Sequence, residues 1–168
     1  MESVEEVGSF IRLRGAFQLA LCDPTGKVLE KQVGDLLVKC ISRVENTVVT
    51  SGRAWVLKQI QSTNHVTSQN LSYIAIGSDT TAPASTQTAL GLEVTRLAIS
   101  SIDTTNLTAS PPNEQFQVQF ATSDANTTLA EVCLINSSAG GTMLARATFA
   151  SFVKATSNIF NISYNLTN

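Results

Sequence analysis

Apolar and polar residues alternate along much of this chain with a period of two, the signature of half-buried β-strands. In FIRLRGAFQLALCDPTGKVLEKQVG, Phe17, Leu19 and Leu21 alternate with Gln18 and Ala20. Asp23-Pro24-Thr25-Gly26 then supplies a turn, because Pro presets φ and Gly permits φ > 0. The pattern predicts a hairpin whose second strand is Val28 to Val33. Further strands are expected at Tyr73–Ile76, Leu92–Ile102, Glu114–Phe120, Leu129–Asn136 and Met143–Phe152. Glu114–Phe120 is the cleanest: three Gln face one way, and Phe116, Val118 and Phe120 the other. The closing IFNISYNLTN sets Phe160, Ile162, Tyr164 and Leu166 against Asn161, Ser163, Asn165 and Thr167.

One stretch breaks the period. In NTVVTSGRAWVLKQIQS, Val56, Leu57 and Ile60 fall on one helical face beside Trp55, and Thr50 or Ser51 can cap it. A single short α-helix is predicted over residues 52–61. With about eight strands and turn signals between them, the chain reads as mainly β, an antiparallel β-sandwich or barrel-like domain. The domain spans residues 15–168, preceded by an N-terminal arm or first strand at residues 1–14. Chain ends stay disordered unless something holds them. The arm, with Met1, Glu2, Ser3, Val4, Glu5, Glu6 and Val7 as candidate contacts, is assigned to a neighbouring chain.

Composition narrows the function. Charged residues are 14% of the chain, against about 25% in ordinary domains. Beyond residue 59 the basic side chains are Arg96, Arg146 and Lys154 alone, and Ser, Thr, Asn and Gln replace charge. That surface suits a subunit packed against others, or an extracellular β-protein. A net charge of −2 gives no electrostatic reason to expect nucleic acid. No apolar run is long enough to span a bilayer. The opening MESVEEVGSF is acidic where a secretory signal needs basic residues, which argues against export by that route.

Chemistry-bearing motifs are sparse. Cys22, Cys40 and Cys133 have no CxxC spacing and sit among aliphatics, so they read as buried small hydrophobes. His65 lies in the polar QSTNHVTSQN and follows no GxSxG signature, which leaves a Ser–His–acid triad unsupported. One His and three scattered Cys do not make a metal site, and no cofactor is expected. Gly77-Ser78-Asp79-Thr80-Thr81 lacks the Lys of a phosphate-cradling loop and reads as a connecting loop stiffened by Pro83. A glycosidase needs two carboxylates and benefits from aromatic platforms. Trp55, Tyr73 and Tyr164 all fall in apolar patterns and read as core. Six N-x-[ST] sequons, at Asn70, Asn106, Asn126, Asn136, Asn161 and Asn165, are what a chain so rich in Ser and Thr yields by chance. Glu93, Arg96, Glu131 and Arg146 stand inside β-runs, flanked by aliphatics. Charges in such settings need partners, so structural Glu–Arg pairing is predicted, with Glu131 on Arg96 or Arg146.

Five segments in order, GKVLE, NTVVTSGRAWVLKQI, YIAIGSDTTAPASTQTALGLEVTR, AEVCLIN and MLARATFASFVK, resemble a domain that recurs in structural proteins of tailed bacteriophage virions. The matching positions are Asn46, Gly52, Arg53, Gly77, Thr81, Ala82, Pro83, Ala89, Leu90, Glu93, Arg96, Glu131 and Arg146. The likeness covers roughly residues 15–168. It implies a virion part without catalytic residues. A capsid cement or decoration subunit is expected, forming a homo-oligomer such as a trimer, bound to the major capsid protein and assembled in the host cytoplasm. A tail, collar or baseplate adaptor or short receptor-binding fibre is the alternative, and a carbohydrate-binding β-sandwich is the alternative of another class.

Overall fold

The computed structural model describes residues 14–33, 36–39, 41–61, 70–105, 108 and 112–167. The candidate contacts Met1 to Val7, together with Cys40, His65 and the Asn106 sequon, lie outside these residues. In chain order the strands are β1 (Arg14–Cys22), β2 (Glu30–Val33), β3 (Leu36–Lys39), β4 (Ile41–Glu45) and β5 (Thr47–Val48). Helix α1 (Thr50–Gln61) follows. Then come β6 (Tyr73–Gly77), β7 (Glu93–Ala98), β8 (Ser101–Asp103), β9 (Asn113–Phe120), β10 (Thr128–Ile135), β11 (Met143–Val153) and β12 (Ile159–Thr167).

Ten of these strands form two five-stranded antiparallel sheets, ordered β4-β1-β12-β9-β8 and β5-β11-β10-β6-β7. The fold is a β-sandwich with one short helix, and it holds more strands than the eight expected. Its alternating strands place their apolar sides between the sheets. Phe17 and Leu19, Phe116, Val118 and Phe120, and Phe160, Ile162 and Tyr164 line one inner face. Ile74, Ile76, Leu129, Val132, Leu134 and Leu144 line the other.

Two expectations are corrected. The return strand Val28–Val33 touches β1 only through the bridge of Cys22 to Val28. It then leaves as β2 and pairs with β3 in a separate two-stranded ribbon. The 23–26 turn itself forms, because Asp23 Oδ1 accepts from the Thr25 and Lys27 amides at 2.9 and 3.0 Å. Strand β1 finds better partners in β12, which pairs with it from Arg14 to Cys22, and in β4, which pairs with it from Ala16 to Ala20. Leu92–Ile102, expected as one strand, divides into β7 and β8. At the break Ile99 donates its amide to Ser72 in one sheet, and Ser100 donates to Gln117 in the other. The chain crosses between sheets there, so no single ladder can continue.

Helix α1 packs on β11 at the sandwich edge. Its apolar face is incomplete: Val56 meets the core, while Leu57 is 60% exposed. The contact depends on Gly52. A Cβ there would stand 2.5 Å from the Leu144 carbonyl oxygen and 2.6 Å from its Cα. Gly→Ala inside a free helix gains about 1 kcal/mol. Here the sign is expected to reverse, with Gly52→Ala costing about 1–3 kcal/mol because helix and strand must separate. Urea denaturation of the variant checks it; an unchanged or raised midpoint contradicts the close-approach account.

Candidate functional site

The outer face of the β6–β10–β11 sheet is apolar, which a solvent-facing sheet cannot sustain. Ala75, Cys133, Ile135 and Met143 lie there in a second buried cluster with Val49 and Leu90. Leu90 belongs to the loop 78–92, which roofs the cluster. Burial among these groups pushes the Cys133 thiol up to about 12, so at neutral pH it is an inert apolar filler.

The roof is fastened by charge. Arg146 on β11 and Glu131 on β10 are both fully buried and meet at 2.8 Å. Glu131 accepts three backbone N–H groups from the loop: Asp79 at 3.3 Å, Gly91 at 3.0 Å and Leu92 at 2.8 Å. Arg146 donates to the Thr81 carbonyl at 2.9 Å, to Gln87 Oε1 at 3.0 Å and to Asp79 Oδ2 at 3.0 Å. Acid and base thus grip the two ends and the middle of one loop. Gly77 makes room for this, since a Cβ there would fall 2.4 Å from Glu131 Oε1.

Of the two partners foreseen for Glu131, the structure selects Arg146. Arg96 instead holds Glu93 in a two-pronged pair at 2.6 and 2.7 Å. That pair and burial act in opposite senses on the guanidinium, and the Glu93 contact prevails to raise its pKa. Its remaining nitrogen donates to the carbonyls of Ser137 and Gly140, tying β7 to the 136–142 turn. All four charges therefore serve contacts within the chain. Sequence reading missed Asp79 and Gln87, which look like ordinary polar loop residues until the loop folds back over Arg146. It also missed Lys154, buried at the end of β11, whose ammonium donates to the Ala121 carbonyl and Asn126 Oδ1 at 2.7 and 3.0 Å. Burial lowers its pKa, with Asp124 nearby opposing the shift.

Hydrogen bonds from the Thr81 amide and hydroxyl hold the Asp79 carboxyl below its ordinary value, with Arg146 adding attraction. A lowered folded-state pKa stabilises the fold above the unfolded value, and that contribution is lost as pH falls through the folded one. Stability is therefore expected to fall below about pH 4, and Asp79→Asn to flatten part of that acid limb. Urea midpoints measured from neutral to acid pH check it; an acid limb identical to that of the unaltered chain counts against the assignment.

The aromatic candidates disperse. Tyr164 is core, and Tyr73 is half-buried beside the second cluster. Trp55 lines a groove of about 570 Å3 with Leu71, Ile102, Phe116 and Leu166, where Glu114 is the one carboxylate among the described lining residues. Among the described residues no cluster of three His, Cys, Asp or Glu could hold a metal ion, and no helix is long and apolar enough to cross a membrane.

The other sheet shows a different outward face. Its register places Gln18, Ser163, Gln117 and Ser101 in one row, Asn165 beside Gln115, and Asn161 beside Gln119. The amides pair laterally: Gln115 donates to Asn165 at 2.9 Å, Gln119 to Asn161 at 3.0 Å, and Gln117 to Gln115. A shallow polar depression of about 420 Å3 lies across these rows. Comparison of the chain with protein-family profiles, curated proteins and solved structures finds no match in any of the three.

Proposed function

We propose that this chain is a non-enzymatic structural subunit of a tailed bacteriophage virion, a cement or decoration protein that stabilises the head through protein–protein contacts. The observation that carries the reading is the uncharged amide face of the β1–β12–β9 sheet. Neutral amides are cheaper to desolvate than charges. Their lateral hydrogen bonds already fix the side chains, so less entropy is lost on contact. A surface of this kind suits burial against other subunits over about 1,000 Å2 or more.

The residues that carry the resemblance add support. Gly52, Gly77, Glu93, Arg96, Glu131 and Arg146 all serve internal packing or pairing. A motif made of such positions fits a scaffold whose shape is its function. The partners that follow are further copies of the chain, as in a trimer, and the major capsid protein, with assembly in the host cytoplasm.

The test is imaging of intact particles labelled with antibody against this chain, with copy number from quantitative mass spectrometry. Hundreds of copies distributed over the head are expected. A dozen or fewer at the tail would reassign the chain to an adaptor or fibre. Absence from purified particles would overturn the virion reading.

A further inference from the structure

Three charged side chains are buried among the described residues, and two of them, Glu131 and Arg146, neutralise each other. The third, Lys154, meets no carboxylate in an ion pair among those residues. It is fully buried, where lysine is almost never found unpaired. Its ammonium donates to neutral acceptors, the Ala121 carbonyl at 2.7 Å and Asn126 Oδ1 at 3.0 Å. An ammonium has three donors to place, so one is left over. Burial pushes its pKa down, because a low dielectric favours the neutral amine. A neutral amine is a nucleophile.

The Asn126 side chain is held as its target. Since a C=O bond is about 1.23 Å long, Cγ of Asn126 lies no more than about 4.2 Å from Nζ. Asn126 Nδ2 donates to the Thr122 carbonyl at 2.8 Å, which fixes the amide plane with its carbonyl toward the lysine. The Lys154 amide donates to the Thr127 carbonyl at 3.0 Å, so the two backbones are tied at this point as well. Ala125, immediately before Asn126, has φ 51°, the one non-glycine residue with positive φ among the described residues. Strain of this kind persists where the surroundings impose it and clusters at functional positions. Asp124 lies in the same turn, its carboxylate fixed by the Ala121 amide at 2.8 Å and the Ser123 hydroxyl at 3.2 Å. It stands beyond ion-pairing distance of Lys154, yet its charge acts on the ammonium.

We propose that Lys154 and Asn126 join in an intramolecular isopeptide bond. Nζ gives up one proton, relayed by water to the Asp124 carboxylate, and attacks Cγ of Asn126 with its lone pair. The Nζ–Cγ bond forms and the Cγ–Nδ2 bond breaks. Nδ2 leaves as ammonia with the proton that Asp124 returns, and no oxidant or cofactor is needed. Asn126 is exposed on its outer side, so ammonia departs straight to solvent. The product is a neutral amide where an unpaired charge was buried, which removes the cost of burying that charge. Residues 121–127 cross from β9 in one sheet to β10 in the other, and residues 154–158 cross back from β11 to β12. The bond ties these two crossings together at one end of the sandwich.

The full chain, folded and held at neutral pH, is analysed by intact mass spectrometry and then by sequencing of its tryptic peptides. A mass lower than the sequence mass by one ammonia is expected, with residues 126 and 154 in one branched peptide and no cleavage after Lys154. Lys154→Arg and Asn126→Ala are expected at full mass. Cyclisation of Asn126 onto its own backbone loses the same ammonia but gives no branch and survives Lys154→Arg. Asp124→Asn keeps an acceptor for the Ala121 amide and removes the base, and is expected to slow linkage after refolding by about 100-fold. A full-mass unaltered chain, or ammonia loss without the branched peptide, overturns the proposal. Linkage at an unchanged rate in Asp124→Asn overturns the part assigned to Asp124. The branched peptide is sought in the unaltered chain, so a variant that fails to fold does not obscure it, and particle labelling is unaffected by any of these results.

Discussion

Arg146→Ala is expected to cost about 3–5 kcal/mol, the range for stranding one member of a buried ion pair, and at the stability of an ordinary domain this removes much of the folded population. The guanidinium is fully buried, and it meets Glu131, Asp79, Gln87 and the Thr81 carbonyl together. Without it Glu131 keeps its three backbone donors but loses its countercharge in a site with no water access. The roof loop loses its fastening at residues 79, 81 and 87, which uncovers Cys133, Ile135 and Met143. Arg146→Lys is expected to fall between, since one ammonium cannot reach a planar set of acceptors. Replacing both partners, as Arg146→Met with Glu131→Leu, is expected to cost less than Arg146→Ala alone, because no uncompensated charge remains. Urea denaturation of the four chains decides it. A loss under about 1 kcal/mol for Arg146→Ala, within the range of an exposed pair, would mean that the pair does not hold the roof.

The parts of this architecture that were legible in the sequence are those with one strong local signal. Gln alternates with Phe or Val over residues 115–120 of β9, and polar and apolar residues alternate in β12, so both strands and their buried faces could be read directly. Glu131 and Arg146 stood out because a charge amid aliphatics needs a partner. The second partner, Asp79, carried no such mark. It lies in a Ser- and Thr-rich loop, and only the tertiary path of residues 78–92 brings it to Arg146. The ribbon was hidden for a related reason. Leu36, Leu37 and Val38 are consecutive, so period-two reading assigns them no face, and Val28–Val33 looks like a return strand until β12 and β4 claim both edges of β1. Local pattern specifies a strand, but which strand it pairs with is a competition among all of them.

Roof and sandwich together explain why so few charges occupy so many roles. The inner core follows from alternation alone. The outer cluster exists because β6, β10 and β11 are apolar on both sides, and a two-layer fold would leave one side wet. The loop 78–92 covers that side, and a loop has few apolar residues of its own to contribute beyond Leu90. Its adhesion comes instead from its backbone, whose N–H and C=O groups find buried carboxylate and guanidinium partners. Charge-assisted bonds of this kind are among the stronger ones available to a loop. Outward, the β1–β12–β9 sheet presents amides and hydroxyls, whose hydrogen bonds run among themselves.

The second large effect is expected at Tyr164, a fully buried aromatic of the β1–β12–β9 face. It packs on Phe17 at 4.6 Å between ring centres and on Phe116 at 6.4 Å. Its ring also fills the space above Gly15, where a Cβ would fall 2.1 Å from the hydroxyl oxygen. Tyr164→Ala opens a cavity at the centre of the sheet and is expected to cost about 3–5 kcal/mol, as for other buried aromatics. Tyr164→Phe keeps the ring and removes the acceptor for the Asn46 side-chain amide, 3.2 Å away, so a loss of about 1 kcal/mol is expected. The two variants separate packing from hydrogen bonding. They also make a pH prediction. Burial pushes the phenol well above its ordinary value. A group raised on folding contributes stability that is complete below the unfolded pKa, about 10 for tyrosine, and that is lost as pH rises toward the folded one. The urea midpoint of the unaltered chain is therefore expected to fall between about pH 9 and 11 more steeply than that of Tyr164→Phe, which has no phenol to ionise at this position. Equal alkaline slopes in the two chains, or a Tyr164→Ala variant as stable as Tyr164→Phe, would show that the ring is not the keystone of the sheet.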